Sequence, residues 1–151
     1  MWVFKNNRSE ASGCHGIFVW QNDGNIHIID GFVGVPSGSG LRGVGGGIDH
    51  GAYGNKYDYR NVVVPYIEIH AHNWKVSDST VGEVYVERHV GAGTVTFTNV
   101  LLDLIQMNDA AGDGGVDLII NGGNATCGVV LWENPHPDSR VIIDGVVCAR
   151  P

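Results

Sequence analysis

The sequence predicts an all-β chain whose short strands stack as the coils of a parallel solenoid. Helix signals are nearly absent: glycine supplies 23 of the 151 residues, and Gly or Asn interrupts almost every window long enough for a helical stripe. What remains are short apolar alternations rich in Val and Ile, separated by polar Gly, Asn and Asp turns. One phrase also occurs twice, as GIFVWQNDGNIHIIDG in residues 16–31 and as GVVLWENPHPDSRVIIDG in residues 128–145.

Each repeated unit contains two strands and a polar turn. A strand opened by Gly is followed by a polar break, a second strand, an Asp or Asn, and a further apolar stretch. The second strands begin near residues 26, 62, 95 and 141, and such spacings are the period of a solenoid coil with loops of unequal length. Asn and Asp at the turns tolerate a left-handed backbone. The pairs predicted to point into the core are Ile17/Val19, Ile26/Ile28, Val84/Val86, Val95/Phe97 and Val129/Leu131.

The pattern Gly-Ile-x-Val followed by Ile-x-Ile-x-Asp-Gly resembles the right-handed parallel β-helix repeats of the pectin-lyase-like superfamily. The resemblance covers roughly residues 13–148, and residues 36–60 fit it poorly. It implies a short, single-stranded, right-handed parallel β-helix of about four to five coils, forming one domain over residues 1–151 with a long Gly-rich loop. That superfamily includes polysaccharide lyases and hydrolases, phage tailspikes, other virion fibres and surface adhesins. The resemblance therefore implies an architecture rather than one activity.

The charge balance restricts the partners of the chain. Asp and Glu total 16 against 9 Lys and Arg, for a formal net charge of −7. An acidic chain of this kind lacks the clustered cations that a nucleic-acid backbone requires. No apolar run approaches the ~18 residues of a membrane-spanning helix. We therefore expect neither a nucleic-acid partner nor a membrane span.

The three cysteines, Cys14, Cys127 and Cys148, cannot form a closed disulfide framework. The favoured prediction is buried free thiols, because Cys is among the most buried residue types. The alternative is a single bridge between Cys127 and Cys148. Their spacing does not match a structural zinc finger.

Residues 34–54 read GVPSGSGLRGVGGGIDHGAYG and predict a long excursion from the stack. Aromatic residues accompanied by Arg, Asp and His are typical of a sugar-binding surface and equally of a subunit contact. The two tryptophans of the repeated phrase occupy equivalent outward positions, where a covering loop, a subunit interface or a glycan would contact them. The predicted binding residues are Trp20, Arg42, Asp49, His50, Tyr53, Tyr57, Tyr59 and Trp132.

The heptapeptide YIEIHAH has the alternation of a strand whose isoleucines point inward. This arrangement places Glu68, His70 and His72 on the outer face. Two histidines two residues apart on one strand face are a spacing found in zinc and other transition-metal sites. Glu87 and His89 have the same outward parity on the next strand and offer alternative ligands. The favoured prediction remains a polar outer face that is solvated or contacts another subunit, with no cofactor, and a divalent metal is the alternative.

The segment that ends the next strand supplies the candidates for catalysis. Lyases of the superfamily that the chain resembles abstract a proton α to a uronate carboxylate with a base assisted by Arg or Lys. On that resemblance the catalytic candidates are Glu68, Glu87, Arg88 and His89. A single Arg without a nearby Lys weighs against a lyase, and the lack of paired aspartates weighs against a glycoside hydrolase. Both enzyme classes stay alternatives.

The favoured function is a non-catalytic structural or binding module displayed outside the cell. A tail, spike or capsid-decoration component on a virion surface is the first choice, with other virion proteins or surface glycans as partners. A short stack exposes strand edges at its ends, and these edges need cover. We therefore expect a homo-oligomer, with a trimer favoured. A metal-binding surface adhesin that uses His70 and His72 is a further alternative.

Overall fold

The chain forms strands throughout the part that the computed structural model describes, which is residues 1–9, 17–19, 26–35, 48–50, 56–70, 73–87, 92–111 and 114–151. These ranges contain 14 strands and one short 3-10 helix, Cys127–Val129, but no α-helix. The prediction of an all-β chain is confirmed. The strands are β1 (Trp2–Lys5), β2 (Arg8–Ser9), β3 (Ile17–Val19), β4 (Ile26–Asp30), β5 (Val33–Gly34), β6 (Ile48–His50), β7 (Lys56–Arg60), β8 (Val63–Ile69), β9 (Trp74–Glu87), β10 (Gly93–Asn108), β11 (Val116–Gly123), β12 (Val130–Trp132), β13 (Arg140–Ile143) and β14 (Val146–Val147).

The strands pair mostly in parallel within one hydrogen-bonded sheet. Its main path runs β1–β4–β7–β9–β10–β11–β13–β14, and the other strands branch from it. Among the pairs in the described ranges, β13 with β14 is antiparallel and the rest are parallel. The two longest strands, β9 and β10, pair along most of their length. Residues 74–77 of β9 also pair with β7, whereas residues 80–86 pair with β8, so β9 has different neighbours at its two ends.

Two columns of buried side chains run along the main path, from strand to strand, and form much of the core. Neighbours in each column are register partners on adjacent strands, and each of these side chains is at most 6% exposed. The second column carries aromatic contacts, with ring centroids 5.4 Å apart for His27 and Tyr57 and 4.8 Å apart for Tyr57 and Trp74. The first column is Ile29, Tyr59, Val76, Phe97, Ile120 and Ile143, and the second is His27, Tyr57, Trp74, Val95, Leu118 and Val141.

The inward parity of β4 differs from the prediction. Ile26 is 43% exposed and Ile28 is only partly buried, whereas His27 and Ile29 are buried. Both parities of the strand sequence IHIID carry isoleucine, so alternation alone does not decide between them. Ile29 pairs with Tyr59, which is buried, and His27 and Ile29 therefore point to the buried face.

Of the other pairs predicted to point inward, some are confirmed and one contains a wrong residue. Val84/Val86 and Val95/Phe97 are confirmed, because all four side chains are 0% exposed. Ile17 and Val129 are partly buried against the core, and the side chain of Val19 lies outside the described part. The prediction is wrong for Leu131, which is 48% exposed. Leu131 lies on β12, which in the described part of the chain pairs with β10 alone.

Strands equivalent to β4 recur more often than the sequence repeats indicate. Register partners of β4 follow one another as β7, β9, β10, β11 and β13. Residues 56–60, in the section that fits the repeat poorly, form β7 and pair with both β4 and β9. The strand sequence KYDYR hides this equivalence because tyrosines occupy the positions where other strands carry aliphatic residues.

Residues with a left-handed backbone mark the same register position on successive strands. Two of their side chains bond to the preceding strand: Asn61 Nδ2 donates to Asp30 Oδ1 at 3.0 Å, and Asn99 Nδ2 donates to Asp78 Oδ1 at 2.8 Å. Asn, Asp and Gly tolerate this conformation better than other residues, and the predicted role of Asn and Asp in turns is confirmed. The residues and their φ angles are Asn6 (51°), Gly31 (74°), Asn61 (52°), Asp78 (49°), Asn99 (55°) and Gly122 (69°).

A disulfide joins Cys127 to Cys148, with their Cα atoms 5.3 Å apart. It ties the 3-10 helix to the residue that follows β14, across 21 positions of sequence. The favoured prediction of buried free thiols is therefore wrong for this pair, and the alternative bridge is confirmed. Three cysteines do not fix a pairing on sequence, because the partner of each depends on tertiary distance. Cys14 lies outside the described residues.

Among the residues that the structure describes, no helix is long and apolar enough to cross a membrane.

Candidate functional site

A histidine and two glutamates meet where β8 and β9 end. Glu68 lies in β8, His70 directly follows the last residue of β8, and Glu87 is the last residue of β9. The parallel register pairs Ile69 with Val86, so one further step along both strands brings His70 beside Glu87. Glu87 therefore joins the cluster from the neighbouring strand, the arrangement that the sequence offered as an alternative source of ligands.

Both carboxylates approach the same imidazole nitrogen. His70 Nε2 lies 3.2 Å from Glu68 Oε1 and 3.4 Å from Glu87 Oε2. The side chain of His70 is 7% exposed, against 16% for Glu68 and 21% for Glu87. The predicted solvated face is thus wrong for His70, because two carboxylates lie against its imidazole. Glu68 and Glu87 remain partly accessible.

The cluster stands on a packed base. Ile67 and Ile69 of β8 and their register partners Val84 and Val86 of β9 are all 0% exposed. Beside them the Tyr85 ring is 3% exposed, and its hydroxyl oxygen accepts a hydrogen bond from the side-chain amide of Asn108 at 3.0 Å. Side chains held on packed strands keep a more precise geometry than side chains on loops.

The arrangement is suited to holding positive charge. The ligand-type atoms of Glu68, His70 and Glu87 all lie within 4.8 Å of one another. Two ionised carboxylates at this separation repel each other unless a cation lies between them. A metal ion is a cation of this kind, and a protonated imidazole is another.

A second feature is a cavity of about 440 Å³ beside β7, β9 and β10. Tyr57 and Trp74 contribute to its wall, and Lys56 and Lys75 also line it. No motif in the sequence predicts this cavity. The available signal was the rarity of lysine, since two of the three lysines in the chain line this one cavity.

The acidic side chain at the cavity is already paired. Arg60 donates hydrogen bonds from Nε to Asp58 Oδ1 at 3.0 Å and from Nη2 to Asp58 Oδ2 at 2.5 Å. These bonds lower the pKa of Asp58 despite the opposing effect of partial burial, and the charges of Arg60 and Lys75 lower it further. Asp58 is therefore ionised at neutral pH and balanced by Arg60, so Lys56 and Lys75 give the cavity a net positive charge.

Three predicted binding residues have places other than those expected. Tyr57 and Tyr59 lie in β7, where they are 1% and 0% exposed, and not on the exposed edge of a loop. Alternation explains this, because both side chains point to the buried face of the strand. Trp132 is partly buried against the core, and the guanidinium carbon of Arg150 lies 5.1 Å from its ring centroid. The outward position predicted for Trp132 is therefore wrong.

The other predicted site residues fall outside the described part of the chain. Asp49 and His50 belong to β6, and only their backbone is described. The described residues of the cavity and of the glutamate–histidine cluster lie within residues 26–35, 56–70, 73–87 and 92–111. The residues whose positions are not described are Trp20, Arg42, Tyr53, His72, Arg88 and His89.

No protein-family model, curated protein sequence or solved structure matches the chain. The fold and the two features define an all-β protein with mostly parallel strands, a cluster of two glutamates and a histidine at the ends of β8 and β9, and a cavity beside β7 that two lysines line.

Proposed function

We propose that the chain is a short right-handed parallel β-helix acting as a non-catalytic structural and binding module outside the cell. A tail, spike or capsid-decoration component of a virion is the setting that fits it best. The stack of register partners from β4 to β13 supports the β-helix, because each pass of the chain lies in parallel beside the one before. The connection between two parallel strands of one sheet is right-handed in about 98% of cases.

The disulfide supports a location outside the cell. Disulfides form and persist in oxidising surroundings and are rare in reducing compartments. The Cys127–Cys148 bridge closes the segment that contains β12, β13 and β14. A module that meets an external environment gains from such a covalent closure.

The observation that carries the assembly is a row of register partners in which two exposed apolar side chains, Val63 and Leu101, flank a threonine. Val33, Val63, Thr80 and Leu101 are successive register partners. Val63 is 48% exposed and Leu101 is 51% exposed. Exposed apolar residues aligned across strands are typical of an interface between subunits. Three copies packed through this row form the closed homotrimer that we propose.

The strand at one end of the path offers a competing contact. β14 exposes Val146 (62%) and Val147 (55%). Contacts from one end to the other are heterologous, because β1 and β14 differ, and they produce open chains of subunits rather than closed trimers. The two modes of assembly therefore give particles of different mass and depend on different residues.

Light scattering after size-exclusion chromatography tests the assembly. The wild-type protein is expected at three times the chain mass of 16.2 kDa over a range of concentrations. Leu101→Lys places a charge in the row and is expected to give monomers, whereas Val146→Lys serves as the matched control and keeps the trimer. A monomeric wild type would contradict the proposal. So would a mass that rises with concentration and falls in the Val146→Lys variant.

The cavity supports a second, binding function. Two lysines that line one cavity suit an oligosaccharide that carries carboxylates, because ammonium groups bind acids. Calorimetry with oligouronates tests this, with Lys75→Gln as the site variant and Lys5→Gln as the control. Ultraviolet absorbance and reducing ends recorded in the same mixtures test the lyase and hydrolase alternatives. Product formation that is lost in Glu68→Gln or Glu87→Gln would favour an enzyme.

A further inference from the structure

We propose that Glu68, His70 and Glu87 bind one divalent transition-metal ion, and that Zn²⁺ fits the site best. Three side chains from two adjacent strands supply one nitrogen and two oxygen ligands. The inference is independent of the proposed structural role and of the cavity, since neither uses these atoms.

The distances between the side chains match those between the ligands of a metal ion. A charge-assisted N–H···O bond between imidazolium and carboxylate is about 2.7–2.9 Å long. The observed separations from His70 Nε2 are longer, at 3.2 Å to Glu68 and 3.4 Å to Glu87. A tetrahedral zinc ion holds nitrogen and oxygen ligands at about 2.0–2.2 Å, which puts the ligand atoms about 3.3–3.5 Å from one another. The two separations from the imidazole nitrogen match two edges of such a tetrahedron, and the two carboxylate oxygens lie within 4.8 Å of each other.

Charge and burial also favour the ion. Both carboxylates lie beside a side chain that is 7% exposed. Charged groups in such a partly desolvated place are paired with opposite charge or coordinate a metal ion. A divalent ion balances both carboxylates at once and uses the imidazole nitrogen as a ligand.

The donor set selects the class of metal. Mg²⁺ and Ca²⁺ take oxygen ligands, and Ca²⁺ requires six to eight of them. An imidazole nitrogen with two carboxylates suits Zn²⁺ and neighbouring transition metals. The base of the site is rigid, because Ile69 and Val86 beneath it are 0% exposed. A bound ion clamps β8 to β9 next to the point where both strands end, and so stabilises the folded chain by an amount that rises with the logarithm of the ion concentration divided by the dissociation constant.

Zinc titration of the protein without an affinity tag, after removal of metal with a chelator, tests the proposal. We expect one Zn²⁺ per chain by calorimetry and a rise of the melting temperature with zinc. Glu87→Gln and Glu68→Gln are each expected to weaken binding at least tenfold, since loss of even an outer-shell partner costs about 10–100-fold. Glu83→Gln, on the same strand as Glu87, is the matched control and retains wild-type affinity.

X-ray absorption at the zinc edge identifies the donors. The expected spectrum has nitrogen and oxygen ligands at about 2.0–2.2 Å and no sulfur. Because His70→Ala removes a buried side chain, far-UV circular dichroism accompanies it, and the glutamine variants decide the outcome if it does not fold. The proposal is overturned if folded wild-type protein binds no zinc saturably. It is equally overturned if zinc binds with unchanged affinity in both glutamine variants.

Discussion

Ser139 donates a hydrogen bond through Oγ to Asp109 Oδ2, and both residues are 0% exposed. The same serine oxygen accepts the backbone N–H of Val116 at 2.8 Å, and Asp109 Oδ1 accepts the N–H of His136 at 2.9 Å. This network joins the residue after β10, the first residue of β11 and the turn that precedes β13. We expect Ser139→Ala to lower the free energy of unfolding by about 2–4 kcal/mol, because it leaves a buried carboxylate and a buried N–H each short of one partner.

Urea denaturation measures this change. Thr98→Val, an isosteric substitution at an exposed position of β10, is the control and is expected to change stability by less than about 0.5 kcal/mol. Equal stability of Ser139→Ala and the wild type would mean that the buried network contributes nothing.

The left-handed position at Asn61 gives a second prediction. Asn61→Ala is expected to cost about 1–2 kcal/mol, because an alanine at φ 52° is strained and the bond to Asp30 is lost. Asn61→Gly also loses the bond, but glycine adopts a positive φ without strain, so this variant is expected to be the more stable of the two. Thermal and urea denaturation compare them, with Asn121→Ala as an exposed control on β11. An alanine variant at least as stable as the glycine variant would contradict the role assigned to this corner.

The disulfide gives a third prediction. In the chain-entropy model, closing a loop of about 21 residues contributes about 3 kcal/mol. Cys148→Ser is therefore expected to lower the free energy of unfolding by about that amount, and a reducing agent is expected to bring the wild type down to the same stability. Cys14→Ser is the control and keeps its sensitivity to the reducing agent. A wild-type melting temperature that does not respond to reduction would argue against the bridge.

Two ion pairs predict how stability depends on pH. Hydrogen bonds from Arg60 lower the pKa of Asp58, and hydrogen bonds from Arg140 lower the pKa of Asp117. A carboxyl group with a lower pKa in the folded state stabilises the fold above its unfolded pKa of about 3.9, and this contribution is lost as the pH falls through the folded value. The free energy of unfolding is therefore expected to fall as the pH drops below about 4.

Urea midpoints measured in this acid range for the wild type and for the double variant Asp58→Asn, Asp117→Asn test the prediction. The double variant is expected to have the shallower pH dependence. Asp103→Asn removes an exposed carboxylate that belongs to neither ion pair, and it serves as the control. Identical slopes for the wild type and the double variant would exclude a role for these pairs.

The sequence predicted the class of the fold and part of its packing. Glycine and asparagine breaks excluded helices, and the alternation at Val95 and Phe97 gave the correct buried face. Alternation failed at β4 because isoleucine occupies both parities of that strand. The repeat itself was missed at β7, where Tyr57 and Tyr59 take the place of aliphatic residues. In both strands the buried face depends on which residue the neighbouring strand pairs with it, and pairing is a tertiary property.

The sequence predicted which residues form the site better than it predicted their burial. The spacing of Glu68 and His70 on one strand, with Glu87 at matching parity, gave the three side chains that meet. The burial of His70 was not predictable, because it depends on the carboxylates that lie against its ring. The cavity was missed because Lys56 and Lys75 lie on different strands, and only the register of β7 and β9 brings them to one place.

The order of contacts along one buried column tests the proposed β-helix most directly. Parallel, in-register stacking at ~4.8 Å between strands predicts nuclear Overhauser effects between backbone protons of neighbouring column members. The expected chain of contacts is Ile29 to Tyr59, Tyr59 to Val76, Val76 to Phe97, Phe97 to Ile120, and Ile120 to Ile143. Observation of this chain would support the β-helix. Antiparallel contacts between these strands, or contacts that skip a neighbour, would contradict it.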